Sequence, residues 1–371
     1  MILKEKIGQL FMMGFHGVTP SKAVRRLIRD FHIGGVILFS RNLKNPGQTA
    51  ALCNALQGLP AKMPLLIAID QEGGRVSRLP KGFTIFPSAA QLAAGGLKDR
   101  FYRVADITAR ELRAVGINMN MAPVLDVNTN PANPIIGDRS FGSTPSLVGR
   151  VGLETIAGYQ DNSIIACGKH FPGHGDTHLD SHRELPTVSH DIRRLGEVEL
   201  RPFLHAIGNG LASIMTAHVL YPALDPDFPA TLSRKIITGL LRERIGFQGV
   251  VVTDDLEMKA IADAYGPGEA AVRSIEAGCD ILLICQDEAG QLSALEAVAR
   301  AVKSKRITEK RIDQSVLRIL KIKEKFILPY QPADRAAIKT TVGNPAHRRL
   351  VEDLQVPSAP PRTARPRTAS R

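Results

Sequence analysis

The chain has 371 residues, 44% of them hydrophobic and 23% charged, a balance that can bury a full core. No apolar run approaches the about 20 residues of a membrane-crossing helix, and MILKEKIGQLFMMGFHG shows no secretion signal, so no membrane insertion is expected. The net charge of +12 does not imply nucleic acid: four of these charges (Arg362, Arg365, Arg367 and Arg371) sit in the tail VPSAPPRTARPRTASR, and the rest are scattered without a nucleic-acid-binding signature.

Eight short apolar runs follow one another along the chain. They are GQLFMMGF (8–15), GGVILF (34–39), LLIAID (65–70), INMNMAPV (117–124), SIIACGKH (163–170), SIMTAHV (213–219), GVVVTDD (249–255) and DILLIC (280–285). Between them lie stretches such as PSKAVRRLIRDFH and DRFYRVADITARELRAVG, with apolar residues at helical spacing. The runs are nearly continuous rather than alternating, as parallel strands buried on both faces require. Eight strands alternating with helices predict an α/β fold, a single (β/α)8 TIM-type barrel over residues 1–335. An open doubly wound sheet is the competing solution, but no GxGxxG follows the first strand. Residues 336–371 read as a C-terminal extension, with 356–371 a disordered Arg/Pro-rich tail. Cys53, Cys167, Cys279 and Cys285 are scattered and form no CxxC pair, which suits reduced thiols and a cytoplasmic location.

Several runs end in a residue suited to chemistry: Asp70, Lys169 with His170, His218, and Asp254. Barrel enzymes build their sites at these C-terminal strand ends, so such residues would converge on one mouth. The segment KHFPGHGDTHLDSHRELP (169–186) spaces His170, His174, His178 and His182 by four residues, which on a helix would suggest a metal site. Pro172, Gly173 and Gly175 break any helix, so the segment is a loop and the register loses its meaning; no metal and no cofactor are expected. A long Gly-bearing loop at a barrel mouth suits a mobile catalytic loop after the fifth strand. Within it Asp180 precedes His182 by two residues, close enough to fix the imidazole tautomer and support proton transfer near neutral pH.

In GVVVTDDLEMKAI (249–261) an apolar strand runs into Asp254, a candidate nucleophile towards an electrophilic carbon; Asp255 is placed as the N-cap of the next helix. IAIDQEGGRVSRLP (67–80) sets Asp70 beside Glu72, Arg75 and Arg78, and NPIIGDRSFG (133–142) offers Arg139 in a second Gly-containing loop. Carboxylates and guanidinium groups at one pocket can hold sugar hydroxyls by oriented hydrogen bonds.

Together, KHFPGHGDTHLDSHRELP, VVTDDLEMKAI, IDQEGGRVSRL and APVLDVNTNPANPIIGDRSFG resemble the NagZ-type β-N-acetylglucosaminidases of glycoside hydrolase family 3, in the family's order and to about residue 330. The resemblance implies Asp254 as nucleophile, His182 as general acid/base and Asp180 as its partner. It implies Asp70, Arg78, Arg139, Lys169 and His170 as substrate-binding residues. It further implies a cytoplasmic, single-barrel enzyme of peptidoglycan recycling that removes terminal N-acetylglucosamine from 1,6-anhydro-N-acetylmuramic acid, with or without peptide, a small muropeptide or disaccharide substrate. A monomer is expected, though the sequence does not fix the oligomeric state. Phosphorolysis with phosphate as acceptor, and a non-catalytic sugar-binding barrel, are the alternatives.

Overall fold

A computed structural model describes residues 1–59, 61–95, 99–181 and 184–355. Eight parallel strands close in sequence order: β1 (Phe11–Met13), β2 (Gly35–Leu38), β3 (Leu66–Ile69), β4 (Met119–Asn120), β5 (Ile165–Phe171), β6 (Ser213–Thr216), β7 (Val250–Asp255) and β8 (Ile281–Ile284). β1 pairs with both β2 and β8, which completes the expected barrel. Strands β1 to β6 and β8 are buried at every position, and β7 only becomes half-buried at Asp254 and Asp255. Such strands need apolar side chains on both faces, and that is why their runs do not alternate.

The strands are shorter than the apolar runs because the ends of those runs do other work. Residues up to Gln9 form the helix Leu3–Gln9, and the fourth strand stops before Pro123, which has no N–H to give the ladder. The segments read as helical are so: Lys22–Asp30 and Arg100–Ala114 lie on the outside of the barrel. Past the eighth repeat, the helices Arg335–Thr341 and Pro345–Gln355 dock back onto the barrel rather than leaving it. Glu111, buried in the helix Arg100–Ala114, accepts from Gly343 N (2.9 Å) and His347 Nδ1 (2.7 Å), and also from Thr84 N (2.8 Å) and Oγ1 (2.6 Å). Leu350 joins Phe86, Leu92 and Phe101 in a second apolar cluster. The Arg-rich tail lies outside the described residues.

Two strands carry an irregularity that matters for the site. Between Gly168 and Phe171, three steps along β5 are matched by two along β6. Between Val252 and Asp255, three steps along β7 are matched by two along β8. Consecutive side chains of an unbroken strand point to opposite faces, and an extra residue on one strand re-aims them. The first bulge falls at Lys169–His170 and the second at Thr253–Asp254.

Candidate active site

Both bulges open onto one cavity of about 390 Å³ at the C-terminal mouth, a size suited to a small molecule. It gathers Asp70, Arg78, Arg139, Lys169, His170 and Asp254, together with Glu72, Asp255, His174 and Ser181. Six of the eight residues singled out from the sequence therefore share one wall-to-wall space. Asp180 lies on the loop above, half-buried, where its carbonyl accepts from Glu184 N at 3.1 Å; it is not among the cavity's lining residues. His182 lies outside the described residues.

The cations are held from behind by two carboxylates. Glu72 accepts from Arg139 through two parallel bonds, Nε to Oε2 and Nη2 to Oε1, both 2.8 Å, and its Oε1 is 2.7 Å from Lys169 Nζ. Lys169 Nζ also donates to Asp70 Oδ1 at 2.8 Å. Burial opposes the charge on Glu72, but Arg139 and Lys169 outweigh it and hold the carboxyl far below its usual range. The same balance runs the other way for the cations: burial would lower Lys169 and Arg139, and the facing carboxylates raise both.

Asp126 is the second support, and it is wholly buried. Its Oδ2 lies 2.7 Å from His170 Nδ1, and its Oδ1 accepts from the backbone N–H of His170 (3.1 Å) and of His174 (2.7 Å). Burial works against its charge, and His170, with the two N–H groups, lowers the carboxyl below its ordinary value. An ionised carboxylate only accepts, so His170 carries its proton on Nδ1 and Nε2 is left for the cavity. That Nε2 is 3.5 Å from Arg139 Nη2.

Asp254, at the end of β7, is the exception among these acids: among the described residues its one hydrogen bond is from Asp255 N to Oδ1, at 2.8 Å. Burial would raise it, but His218, His170, the Asp255 N–H and Lys169 together hold it below the usual aspartate range. The result is an ionised carboxylate with spare lone pairs facing a cavity, which is what a nucleophile needs.

Two sequence expectations change and a third, the loss of the histidine register, holds. Asp255 is not a helix N-cap: the following helix, Lys259–Ala277, starts after Met258, and Asp255 ends β7 inside the cavity wall. His218 does not line the mouth; it is buried behind β7, with Nε2 2.9 Å from the Asp255 carbonyl and Nδ1 2.8 Å from Thr231 Oγ1. The four-residue histidine register dissolves, since His170 is on a strand, His174 is buried and His178 is exposed beside Asn130 (3.1 Å).

The stem of the histidine loop is fastened to the segment after β4. Asn133 donates to the His174 carbonyl (2.9 Å) and Asn130 to that of Thr177 (3.0 Å), while Thr129 donates to Asp176 (2.7 Å). Asp176 also pairs with His190 at the far end of the loop. Gly175 has to be glycine here, because a Cβ would lie 1.9 Å from the Val127 carbonyl oxygen. Thr177 Oγ1 donates to the His174 carbonyl (3.2 Å), so it accepts from His174 Nδ1 (2.8 Å), and Nε2 accepts from Ser181 Oγ (3.1 Å). Burial pulls His174 down to about 4, so it is neutral and holds Ser181, next to Asp180, at the cavity.

Asp126 escaped the sequence reading, and Glu72 was noted without its task. The available signal was a lone aspartate inside the apolar run APVLDV, where an unpaired charge would be costly and so implies a buried cationic partner.

A parallel barrel with an ionised aspartate and buried cations at its C-terminal mouth has the parts of a glycosidase-type site. The comparisons agree with that class. The glycosyl hydrolase family 3 N-terminal domain matches residues 2–322. A Pseudoalteromonas piscicida protein named beta-hexosaminidase A is 40% identical over 362 residues, 91% of this chain and 60% of that protein. A beta-hexosaminidase of Nitrosomonas eutropha is 35% identical across 88% of this chain and 96% of its own length. Among solved structures, a glycoside hydrolase family 3 beta-N-acetylglucosaminidase from Paenibacillus sp. str. FPU-7 superposes with a TM-score of 0.90 at 48% identity, covering 95% of this chain and 68% of that one. The chain belongs to glycosyl hydrolase family 3.

Proposed function

We propose that the protein is a retaining exo-β-N-acetylglucosaminidase acting through a covalent glycosyl-aspartate. The observation that carries this reading is Asp254, an ionised carboxylate with unfilled lone pairs, in one cavity with Lys169, Arg139 and His170. Asp254 attacks the anomeric carbon from one face of the sugar. His182, protonated and backed by Asp180, gives its proton to the departing oxygen, and the leaving group departs as an alcohol. Water then attacks the glycosyl ester, losing a proton to His182 and restoring the Asp254 carboxylate. An imidazole has an unperturbed pKa of about 6.5, so it serves as acid and base at neutral pH with little tuning. Asp70, Arg78, Arg139, Lys169 and His170 bind the sugar hydroxyls. The names of the curated relatives support hexosaminide substrates, and that of the Paenibacillus structure supports an N-acetylglucosaminide. The finer reading is a small cytoplasmic substrate of cell-wall turnover, N-acetylglucosamine linked to 1,6-anhydro-N-acetylmuramic acid, with or without peptide.

The deciding experiment traps a fluorinated N-acetylglucosaminide and maps the label by peptide mass. The label falls on the peptide containing Asp254; robust trapping in Asp254→Ala would sink the assignment. His182→Ala loses far less activity on a nitrophenyl glycoside than on a disaccharide, because only the poor leaving group needs the proton. In phosphate buffer the product is free N-acetylglucosamine, and sugar 1-phosphate as the main product would mean phosphorolysis instead.

A further inference from the structure

Asp255 is the one carboxyl of the cavity with no task so far. In an unbroken strand it would face away from Asp254; the β7 bulge brings both to the same space. Its Oδ1 accepts from Glu257 N at 3.2 Å, and among the described residues it forms no ion pair. The surrounding groups explain why. Glu257, on the turn after β7, has its own oxygens filled by the N–H groups of Cys285 (2.7 Å), Gln286 (2.6 Å) and Asp287 (2.8 Å). Arg41, after β2, spends Nε on the Phe15 carbonyl (3.0 Å) and Nη2 on the Cys285 carbonyl (2.6 Å). His218 reaches the Asp255 carbonyl and Cys285 presents a buried thiol. Asp254 and Glu257 thus place two further acids beside Asp255, and Arg41 is committed to backbone carbonyls. Burial, reinforced by the charges of Glu257 and Asp254, pushes the Asp255 carboxyl up to about 7, against the pull of the Glu257 N–H and of the Cys285 thiol that bonds to it.

An ionised carboxylate can only accept, whereas a protonated one donates. Resting on the glycosidase reading, we propose that Asp255 is a substrate-binding residue whose protonated carboxyl donates a hydrogen bond to an oxygen of the sugar seated over Asp254. Lys169 and Arg139 then donate from one side of the cavity, and Asp255 donates from the β7–β8 side. Ionisation of Asp255 removes that donor and sets a second negative charge beside the nucleophile.

Asp255→Asn separates this role from a structural one, because an amide keeps a neutral donor of the same shape at every pH. KM and kcat for nitrophenyl N-acetylglucosaminide are measured for wild type, Asp255→Asn and Asp255→Ala from about pH 5 to about pH 9. In wild type, KM rises roughly three- to tenfold above neutrality, the worth of one hydrogen bond. Asp255→Asn holds KM flat over that range, and Asp255→Ala shows the raised KM throughout. The proposal is overturned if the Asp255→Asn curve follows wild type, or if Asp255→Ala keeps the wild-type KM at low pH. A check without variants is calorimetry of N-acetylglucosamine binding to the wild-type protein just above neutrality, in buffers of different ionisation enthalpy. Proton uptake on binding is expected, and its absence overturns the proposal. A wild type with no turnover defeats the glycosidase reading itself, whereas active enzyme with coincident curves defeats only the role of Asp255.

Discussion

Asp254 and Asp280 belong to neighbouring strands but opposite ends of the barrel, one at the C-terminal end of β7 and the other just before β8. Asp280 is wholly buried and fully satisfied: Oδ2 accepts from Arg242 Nη2 (2.5 Å) and Val251 N (3.0 Å), and Oδ1 from Ser315 Oγ (2.6 Å) and Arg318 Nη1 (3.1 Å). Among the described residues Asp254 has a single hydrogen bond. Both sites collect cations around a carboxylate in a poorly solvated place, so charge alone does not distinguish floor from mouth. The difference is spare capacity. At the floor every lone pair is used to join helices to strands; at the mouth the supporting carboxylates Glu72 and Asp126 are filled, and Asp254 is left open. A half-buried acid without enough partners is costly, and its place at the cavity suits it to a ligand.

Substitutions test that contrast directly. Asp254→Ala should lower kcat by at least about 10³-fold with a near-normal melting temperature, read by chromogenic turnover and circular dichroism. Asp280→Ala should do the opposite, costing about 3–5 kcal/mol of stability in denaturant titrations because Arg242 and Arg318 lose their partner. Its activity per folded molecule should stay close to wild type. If Asp280→Ala instead abolished turnover in a fully folded protein, the division between floor and mouth would fail.

Glu72→Gln falls between these extremes. The cavity keeps its shape, but Lys169 and Arg139 lose the charge that holds them together, and kcat/KM should drop by about 10²-fold, the scale of a displaced binding group. Wild-type values would show that the Glu72 charge does not position the cations. The smallest effect concerns His174. Burial holds its pKa at about 4 in the fold, below the ordinary imidazole value of about 6.5. Between these values the unfolded chain binds the extra proton, so stability falls as pH drops through that window. The contribution is at most about 1.4 kcal/mol per pH unit. His174→Gln should flatten this part of the curve of denaturant midpoint against pH.

The barrel was legible because its signal is local. A strand buried on both faces is an uninterrupted apolar run, and eight such runs separated by helical spacing leave few other arrangements. The polar ends of those runs marked the mouth, and Asp70, Lys169, His170 and Asp254 are indeed there. Other features were not readable for a common reason: they join residues far apart in the chain. Asp126 meets His170 across 44 positions, and Glu72 meets Arg139 across 67. The docking of Pro345–Gln355 depends on Glu111, 236 residues before His347. Asp255 was misread because TDD followed by an apolar segment does carry the pattern of a helix start.

The sequence by itself therefore determined the class of fold, the order of its strands and the strand ends that carry polar chemistry, because apolar periodicity and Gly/Pro placement act over a few residues. Tertiary structure alone decided which acids are filled and which are open. It also decided that Lys169 with His170, and Asp254 with Asp255, share a cavity instead of facing apart. The physical reason is the register of neighbouring strands: one extra residue on β5 against β6, and one on β7 against β8, redirects side chains that strict alternation would separate.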